Sequence, residues 1–376
     1  MVILDLKADN FYAFKNFHVN FTYPKKIVGS YIEEEHLVGF PNFRYKKVNI
    51  IMGANASGKT TLGYMLKNIF NFIAKKNAVF LIDHISDISK KASFCLEMVC
   101  SGKQLYRVRC NILPFIAGDD AKGHKINLHV TSLEIGKRDS YESCVKKLDK
   151  IENLKEKTYY MEELDKIERI AWLFEHPDDV DRALSLPDDD KLFPVILKKV
   201  LKALDPSISN VEKLDNVRNS YVIRLAKEDI ILQDGERFGT KVLSSGTKAG
   251  VEVAAVLSSL IQGRNSFYYC DEKFSYIHTD IEKAILSVMI ESIKPNEQLF
   301  FTTHNTEILD LDLPKHSYCF MKKEVDDKNE PIKCLSASDF LKRNTDSLKK
   351  AVENDLFSIA PSTDIIYDIL DLNKRN

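Results

Sequence analysis

The chain has 376 residues, of which 44% are hydrophobic and 29% are charged, and its net charge is −1. This length exceeds what one hydrophobic core usually serves, so we expect two lobes, or one core with an insertion. The balanced charge excludes an overall basic field for nucleic acid and leaves only a local patch open. The seven cysteines form no CxxC pair, which predicts reduced thiols in a cytoplasmic protein. With no apolar run of about 18 residues, no membrane partner is expected.

The N-terminal part predicts strands that lead into a phosphate-binding loop. Residues 1–21 indicate two short strands around a turn, and residues 22–47 are a mixed, polar excursion. Val48 to Thr61 then joins a buried strand to an amphipathic helix through Gly-Ala-Asn-Ala-Ser-Gly-Lys-Thr, a complete GxxxxGK[ST] motif. This context is the one in which the motif forms a phosphate loop.

Each residue type in the motif suits a nucleotide phosphate. Gly53 and Gly58 allow the backbone N–H groups to face the phosphates, and the helix N-terminus favours negative charge. Lys59 adds a positive charge, and Thr60 offers its hydroxyl to Mg²⁺. We therefore predict a nucleotide site with ATP and Mg²⁺ as cofactors, formed by Gly53, Asn55, Ala56, Ser57, Gly58, Lys59, Thr60 and Thr61.

The middle of the chain changes character twice. Between residues 92 and 136 apolar residues alternate with a period of two, which predicts an antiparallel β meander. Between residues 138 and 205 strand signals vanish and apolar residues recur at roughly helical spacing, so we expect several short helices, too few for a coiled-coil arm. The acidic clusters at 177–181 and 187–190 indicate loops rather than metal sites. A basic cluster at 198–202 indicates either a solvated helix face or a nucleic-acid contact.

The second half predicts strands at 221–225 and 230–232, with Asp234-Gly235 as a turn after them. Four features then follow in a fixed order. Leu243 to Thr247 begins an apolar helix. An apolar strand at 267–271 ends in Asp271-Glu272, and a helix follows from about residue 279 to 293. A second apolar strand at 299–303 ends in His304.

These polar strand ends suit phosphate chemistry. Asp271, which we expect on a strand beside the phosphate loop, is placed to hold Mg²⁺ through the water shell of the metal. Glu272 can orient the attacking water or accept its proton. His304 can hydrogen-bond the γ-phosphate. We predict Glu272, His304 and Lys59 as catalytic residues, with Thr60 and Asp271 at the metal.

Together the motifs resemble the ABC-type ATPase heads. Gly53–Thr60 matches Walker A, Leu243–Thr247 the signature, Asp271-Glu272 the end of Walker B, and His304 the switch histidine. The opening Asn10–Lys15 and the run Thr302–Asn305 look like the SMC, RecF and OLD branch. More narrowly the chain is similar to stand-alone bacterial ATPases of the AAA15/AAA21 type, several of which serve anti-phage defence, as in PARIS and Septu systems.

The resemblance implies an α/β fold with a mixed central sheet, an antiparallel meander and a helical insertion. Its parts would be lobe I (1–137), the insertion (138–210), lobe II (211–335) and C-terminal helices (336–376). It also implies a homodimer or higher homo-oligomer, in which Ser244 and Gly246 of one copy bind the nucleotide of another. The partner would be a separate effector, such as a nuclease.

Two further readings and two departures from the family pattern remain open. A RecF-like DNA maintenance ATPase would bind duplex DNA and depend on salt. A transporter subunit is disfavoured by the meander, by the insertion and by Thr247, where transporters favour glutamine. No glutamine loop is assigned, because Gln104 lies in a predicted hairpin and Gln233 beside a turn. His278 suits either a contact with a second copy or a cap of the following helix.

Overall fold

The computed structural model describes residues 1–27, 29–101, 103–114, 125–154, 159–176, 191–214, 217–225, 229–233, 236–238, 245–272, 274, 277–324, 326–343, 346–359 and 364–367. Its strands are β1 (Val2–Asp9), β2 (Phe17–Asn20), β3 (His36–Leu37), β4 (Phe40–Arg44), β5 (Val48–Met52), β6 (Ala92–Val99), β7 (Gln104–Ile112), β8 (Ile126–Glu134), β9 (Trp172–Glu175), β10 (Ile208–Lys213), β11 (Ser220–Leu225), β12 (Asp229–Gln233), β13 (Glu236–Phe238), β14 (Phe267–Asp271), β15 (Gln298–Thr303), β16 (Tyr318–Lys323) and β17 (Ile332–Ser336). Its helices are α1 (Lys59–Lys75), α2 (Val79–Ile82), α3 (Tyr141–Ile151), α4 (Tyr160–Leu164), α5 (Phe193–Leu204), α6 (Ser245–Gln262), α7 (Thr279–Ser292), α8 (Ala337–Phe340), α9 (Leu348–Glu353) and α10 (Asp364–Tyr367).

A mixed central sheet with the strand order β17-β16-β5-β15-β14-β9 positions the candidate site. β16, β5, β15, β14 and β9 are parallel, and β17 pairs antiparallel with β16. The register places Thr303 opposite Met52, and Asp271 opposite Thr302. Because parallel strands end at the same edge of a sheet, the phosphate loop and both polar strand ends lie along one edge.

The two faces of this sheet pack against different helices. Ile50, Cys270 and Phe301 lie in a core cluster with residues of α5, α6 and α7. The neighbouring residues in the strands, such as Ile51 and Phe300, lie in a cluster with α1 and the N-terminal strands. Since successive strand residues point to opposite faces, α1 and α6 lie on opposite sides of the sheet.

An antiparallel sheet with the order β2-β1-β6-β7-β8 packs against α1, and a second one, β10-β11-β12-β13, lies on the α6 side.

A buried ionic cluster joins the first of these sheets to α3. Arg107 in β7 is 4% exposed and forms ion pairs with Glu97 at 2.7 Å and with Asp149 of α3 at 2.7 Å. Burial and the Glu97 carboxylate raise the pKa of Tyr141, whose hydroxyl donates to Glu97. This buried ionic cluster fixes α3 on the meander.

The structure confirms the α/β class, the N-terminal strand pair, the meander, the helix after the phosphate loop, and the strands that carry Asp271 and His304. One prediction for residues 138–205 is wrong, because Trp172–Glu175 form edge strand β9 beside β14. The expected position of Asp271 also needs correction, because β15 lies between β14 and the phosphate-loop strand. The acidic clusters and the Asp234-Gly235 turn lie outside the described residues, and the division into lobes, insertion and C-terminal part stays a prediction.

In the part of the chain that the structure describes, the helices are too short or too polar to span a bilayer.

Candidate phosphate-binding and hydrolytic site

The phosphate loop lies tightly against strand β16, which explains its first glycine. A Cβ on Gly53 would come within 2.3 Å of the Met321 carbonyl oxygen. Gly58 is the N-cap of α1 with φ 106°, a conformation that glycine adopts readily. Helix α1 has no side chain capping its first turn. The N–H groups of that turn, which carries Lys59, Thr60 and Thr61, are therefore available to an anion.

Lys59 is held at the centre of the loop. The side chain is 4% exposed, and its ammonium group donates to the carbonyl oxygens of Gly53 at 2.7 Å and Ala54 at 3.0 Å. The same Nζ atom lies 3.1 Å from the Glu272 Oε1 atom. The loop and the end of β14 therefore meet at this one cation.

The remaining loop residues differ in exposure. Asn55 and Ala56 are exposed, and Ala56 has φ 60°, an uncommon value for a residue with a side chain. Ser57 is 2% exposed, and none of the described residues hydrogen-bonds its hydroxyl. A buried hydroxyl without a partner is costly, so this side chain fits a site that is completed by a polar ligand.

The Asp271 carboxylate is fully buried at the same edge of the sheet. Its Oδ1 atom accepts a hydrogen bond from Thr302 Oγ1 at 2.6 Å. Within the described residues, Oδ2 has no hydrogen-bond partner and lies 3.6 Å from His176 Nδ1. An oxygen acceptor of this kind suits Mg²⁺, which Asp271 and Thr60 would hold together with a nucleotide. The described residues contain no cluster of three or more His, Cys, Asp or Glu side chains that could hold a metal without such a ligand.

The Glu272 backbone has an unusual conformation, with φ 42°. Its N–H donates to the carbonyl oxygen of Thr302 at 3.2 Å and to Thr302 Oγ1 at 3.0 Å. A left-handed conformation at a non-glycine residue costs about 1 to 3 kcal/mol and persists where neighbouring contacts fix it. Here the turn leaves the side chain 22% exposed and within reach of Lys59.

His304 lies next to Glu272 on a strand end that α7 anchors. The histidine is 56% exposed, and its Nδ1 atom is 3.9 Å from Glu272 Oε1. Its neighbours in the chain donate to the buried Glu282 of α7, Thr303 at 3.1 Å and Asn305 at 2.7 Å. Burial raises the pKa of the Glu282 carboxyl. The backbone on both sides of the histidine is thus fixed, while its ring faces the surface.

The sequence interpretation missed several supporting residues. Tyr269 of β14 is fully buried, and its hydroxyl donates to the Lys59 carbonyl oxygen at 2.7 Å, joining the strand to the first turn of α1. His176 is also buried and stacks on Tyr64 of α1 with ring centroids 4.2 Å apart. The signal for His176 is its place two residues after the apolar run 172–174, within the stretch for which the sequence predicts helices.

A groove of about 670 Å³ borders the loop beside the end of β15. Gly53, Asn55 and His304 line one wall, and Lys349 and Val352 of α9 line another. The exposed predicted site residues therefore face the C-terminal helices.

Gly246, Gln104 and Gln233 lie outside this group of residues. Ser244 lies outside the described residues, and Gly246 is in the first turn of α6, across the sheet from α1. Gln104 lies in β7 and Gln233 in β12, so neither follows a strand of the central sheet. His278 is the N-cap of α7 and accepts a hydrogen bond from the Asp280 N–H at 3.3 Å, which favours the capping role.

Comparisons with known proteins show similarity in structure only. No model of a protein family matches the sequence, and no curated protein matches it. A crystal structure of an SMC head bound to the C-winged helix domain of ScpA aligns with 91% of this chain and 100% of its own, with TM-score 0.54 and 14% identity. An SMC head from Pyrococcus furiosus, with an extended coiled coil and bound to the C-terminal domain of ScpA, aligns with 90% of this chain and 98% of its own, with TM-score 0.53 and 11% identity. The chain therefore has the mixed α/β fold of SMC head domains.

Proposed function

We propose that this protein binds ATP with Mg²⁺ and hydrolyses it. The observation that supports this most is the convergence on Lys59 of the phosphate loop and Glu272, whose Oε1 atom is 3.1 Å from Nζ. The buried Asp271 and the exposed His304 lie at the same edge. These are the groups that phosphoryl transfer to water requires, since its catalysis rests on positioning and on electrostatic stabilisation.

Each side chain has a distinct role in this proposal. Lys59 and the first N–H groups of α1 bind the phosphates and stabilise the charge that develops on them. When bound, Mg²⁺ neutralises charge on the phosphate oxygens, and Thr60 and Asp271 would hold it. Glu272 orients the water that attacks the γ-phosphorus and accepts its proton. His304 hydrogen-bonds the γ-phosphate from the side of the groove.

We further propose that the complete site needs a second copy of the chain. Gly246 lies in the first turn of α6, across the central sheet from α1, which supports the signature residues Ser244 and Gly246 acting on the nucleotide of another protomer. ATP would then join two copies, and hydrolysis would remove the shared anion and loosen them. The functional form is therefore a homodimer or a higher homo-oligomer.

In the cell, we propose that this assembly is a switch for a separate effector protein, such as a nuclease of an AAA15/AAA21-type anti-phage system. The two solved SMC heads are bound to parts of another protein, ScpA, which supports a partner protein for this fold. A partner bound in the groove beside His304 would contact this histidine and could thereby distinguish the ATP-bound form from the ADP-bound form. The balanced net charge favours a protein partner over nucleic acid.

The catalytic part of the proposal is tested with Glu272→Gln. This variant should bind ATP, lose turnover by about 10²-fold or more, and elute as a larger species with ATP than without it in size-exclusion chromatography with light scattering. Glu212→Gln, an exposed carboxylate in β10, is the matched control and should behave as wild type. Normal phosphate release by Glu272→Gln would overturn the assignment.

The shared site is tested by mixing two inactive variants. Lys59→Ala keeps the signature but lacks phosphate binding, whereas Ser244→Arg keeps the phosphate loop but blocks the signature. If the site is shared, a mixed dimer contains one intact composite site, and the mixture regains part of the ATP turnover that each variant lacks. Full activity of Ser244→Arg alone would contradict the shared site, as would a mixture that stays inactive although the two variants assemble.

A further inference from the structure

The side chains of Lys46, Cys319 and Cys334 form a polar cluster on the side of β16 and β17 that faces a second cavity. The register pairs Cys319 with Ser336 and Met321 with Cys334, so the two thiols are diagonal neighbours on one face of the hairpin. Their side chains therefore project toward the same side of the sheet. Both line a cavity of about 310 Å³, together with Lys46 and Ser336.

Lys46 is a buried cation whose hydrogen-bond acceptors are unusual. It is 3% exposed, and its Nζ atom donates to Ser336 Oγ at 3.0 Å and to Cys319 Sγ at 3.8 Å. None of the described carboxylates lies within ion-pair distance of this ammonium group. A buried charge needs a compensating one, and a thiolate on Cys319 supplies it.

The surroundings of the two sulfurs differ in a way that separates their roles. The neighbouring Cys334 thiol and the charge of Lys46, whose Nζ atom is 3.8 Å from Cys319 Sγ, lower the pKa of Cys319 against the effect of burial. Sharing of the proton and burial raise the pKa of Cys334. Cys319 is 1% exposed, whereas Cys334 is partly exposed at the cavity. The position of Lys46 therefore favours Cys319 over Cys334 as the thiolate of the pair.

We propose that Cys319 and Cys334 are a peroxide-reactive dithiol, in which Lys46 holds Cys319 as the attacking thiolate and Cys334 completes a disulfide. The Cys319 thiolate attacks one oxygen of hydrogen peroxide, the O–O bond breaks, and the hydroxide that leaves takes up a proton to become water. The sulfenic acid on Cys319 is then attacked by Cys334, which forms the S–S bond and releases a second water. Two thiols lose two electrons in total, and these reduce one peroxide molecule.

The other cysteines provide an internal comparison. Cys100 is also partly exposed, but burial raises its pKa to about 12. Burial likewise raises the pKa of Cys95 to about 11. Since the thiolate is the nucleophile, these two side chains should stay reduced under conditions that oxidise the pair.

The test is to treat the reduced, full-length protein with hydrogen peroxide at pH 7, block the remaining thiols with iodoacetamide and map the peptides by mass spectrometry. We expect a Cys319–Cys334 disulfide, whereas Cys100 should remain reduced and should therefore be alkylated by iodoacetamide. Lys46→Met should slow disulfide formation by about tenfold, because a thiol with an ordinary pKa near 8.5 is only a few per cent ionised at this pH. Formation at an undiminished rate in Lys46→Met would overturn the role of the lysine.

A second variant tests the order of the steps even if Lys46→Met fails to fold. Cys334→Ser keeps the thiolate but lacks the thiol that completes the disulfide, so Cys319 should accumulate as a sulfenic acid that dimedone labels. Cys319→Ser should take no dimedone at Cys334. The proposal is refuted if Cys319 stays unlabelled in Cys334→Ser, or if wild type forms no disulfide before Cys100 is oxidised. These readouts follow sulfur chemistry, so they do not depend on whether the protein hydrolyses ATP.

Discussion

Replacing Gly53 by alanine tests whether the contact with β16 sets the geometry of the phosphate loop. The added methyl carbon would lie 2.3 Å from the Met321 carbonyl oxygen and 2.7 Å from Ser57 Oγ. Carbon and oxygen atoms in contact normally stay about 3.3 Å or more apart, so the loop or the strand must move by about 1 Å. A displacement of about 1 Å among groups that position a reaction can reduce the rate by about 10²-fold. We therefore expect kcat/KM for ATP to fall about 10²-fold, which corresponds to about 2.7 kcal/mol.

The assays are titration with a fluorescent ATP analogue and measurement of phosphate release. Gly39→Ala is the matched control, because Gly39 has φ 84° and a methyl carbon added there would have no atom within 4 Å. That substitution adds backbone strain of about 1 to 2 kcal/mol but no collision. It should lower the free energy of unfolding and leave ATP affinity unchanged. Comparable ATP affinity in Gly53→Ala and wild type would refute the reasoning, as would an equal loss of affinity in Gly39→Ala.

Three further predictions concern the scaffold around the site. Arg107→Met should lower the free energy of unfolding, measured by urea denaturation, by about 3 to 5 kcal/mol, because Glu97 stays buried and charged without its partner. The control Arg224→Met breaks exposed ion pairs of similar length and should lower it by at most about 1 kcal/mol, so equal losses in the two variants would contradict this prediction. Because burial raises the pKa of Glu282, the folded state binds more protons than the unfolded state above about pH 4.3, so this side chain stabilises the fold at low pH and the stabilisation is lost as the pH rises. Glu282→Gln should remove this loss of stability with rising pH. The unfolding free energy of the variant minus that of wild type should therefore increase from about pH 4.5 to about pH 7. A difference that does not change with pH would refute the raised pKa of Glu282. Tyr269→Phe should lower stability by about 1 kcal/mol, with a matching fall in ATP affinity if the hydroxyl positions the first turn of α1; unchanged stability and affinity would show that this hydrogen bond is not needed.

The sequence was sufficient for features that depend on local pattern. The run of apolar residues before Gly53, the helical spacing after it and the period-two alternation of the meander each matched an observed element. The polar strand ends Asp271 and His304 were predictable for the same reason, since parallel strands place their carboxyl ends at one edge.

The features that were not predicted depend on tertiary pairing. Strand β9 has only four residues and lies between helices, so its apolar run reads equally well as part of a helix until β14 pairs with it. The position of β15 between β5 and β14 in the sheet was also not predicted, because the spacing of residues along the sequence does not determine the order of strands in a sheet. The contact between Lys59 and Glu272 joins residues far apart in the sequence, and the left-handed backbone at Glu272 is imposed by Thr302 rather than by its own residue type.

The β16–β17 hairpin touches two distant parts of the protein at once. In β16, the Met321 carbonyl lies against Gly53. Between β16 and β17, the backbone carbonyls of Lys328 and Asn329 accept hydrogen bonds from Lys15 and Asn16, which lie in the turn between β1 and β2. The hairpin therefore links the N-terminal sheet to the phosphate loop. If the chain hydrolyses ATP as we propose, a molecule that tilts this sheet should change the affinity for ATP without touching the nucleotide.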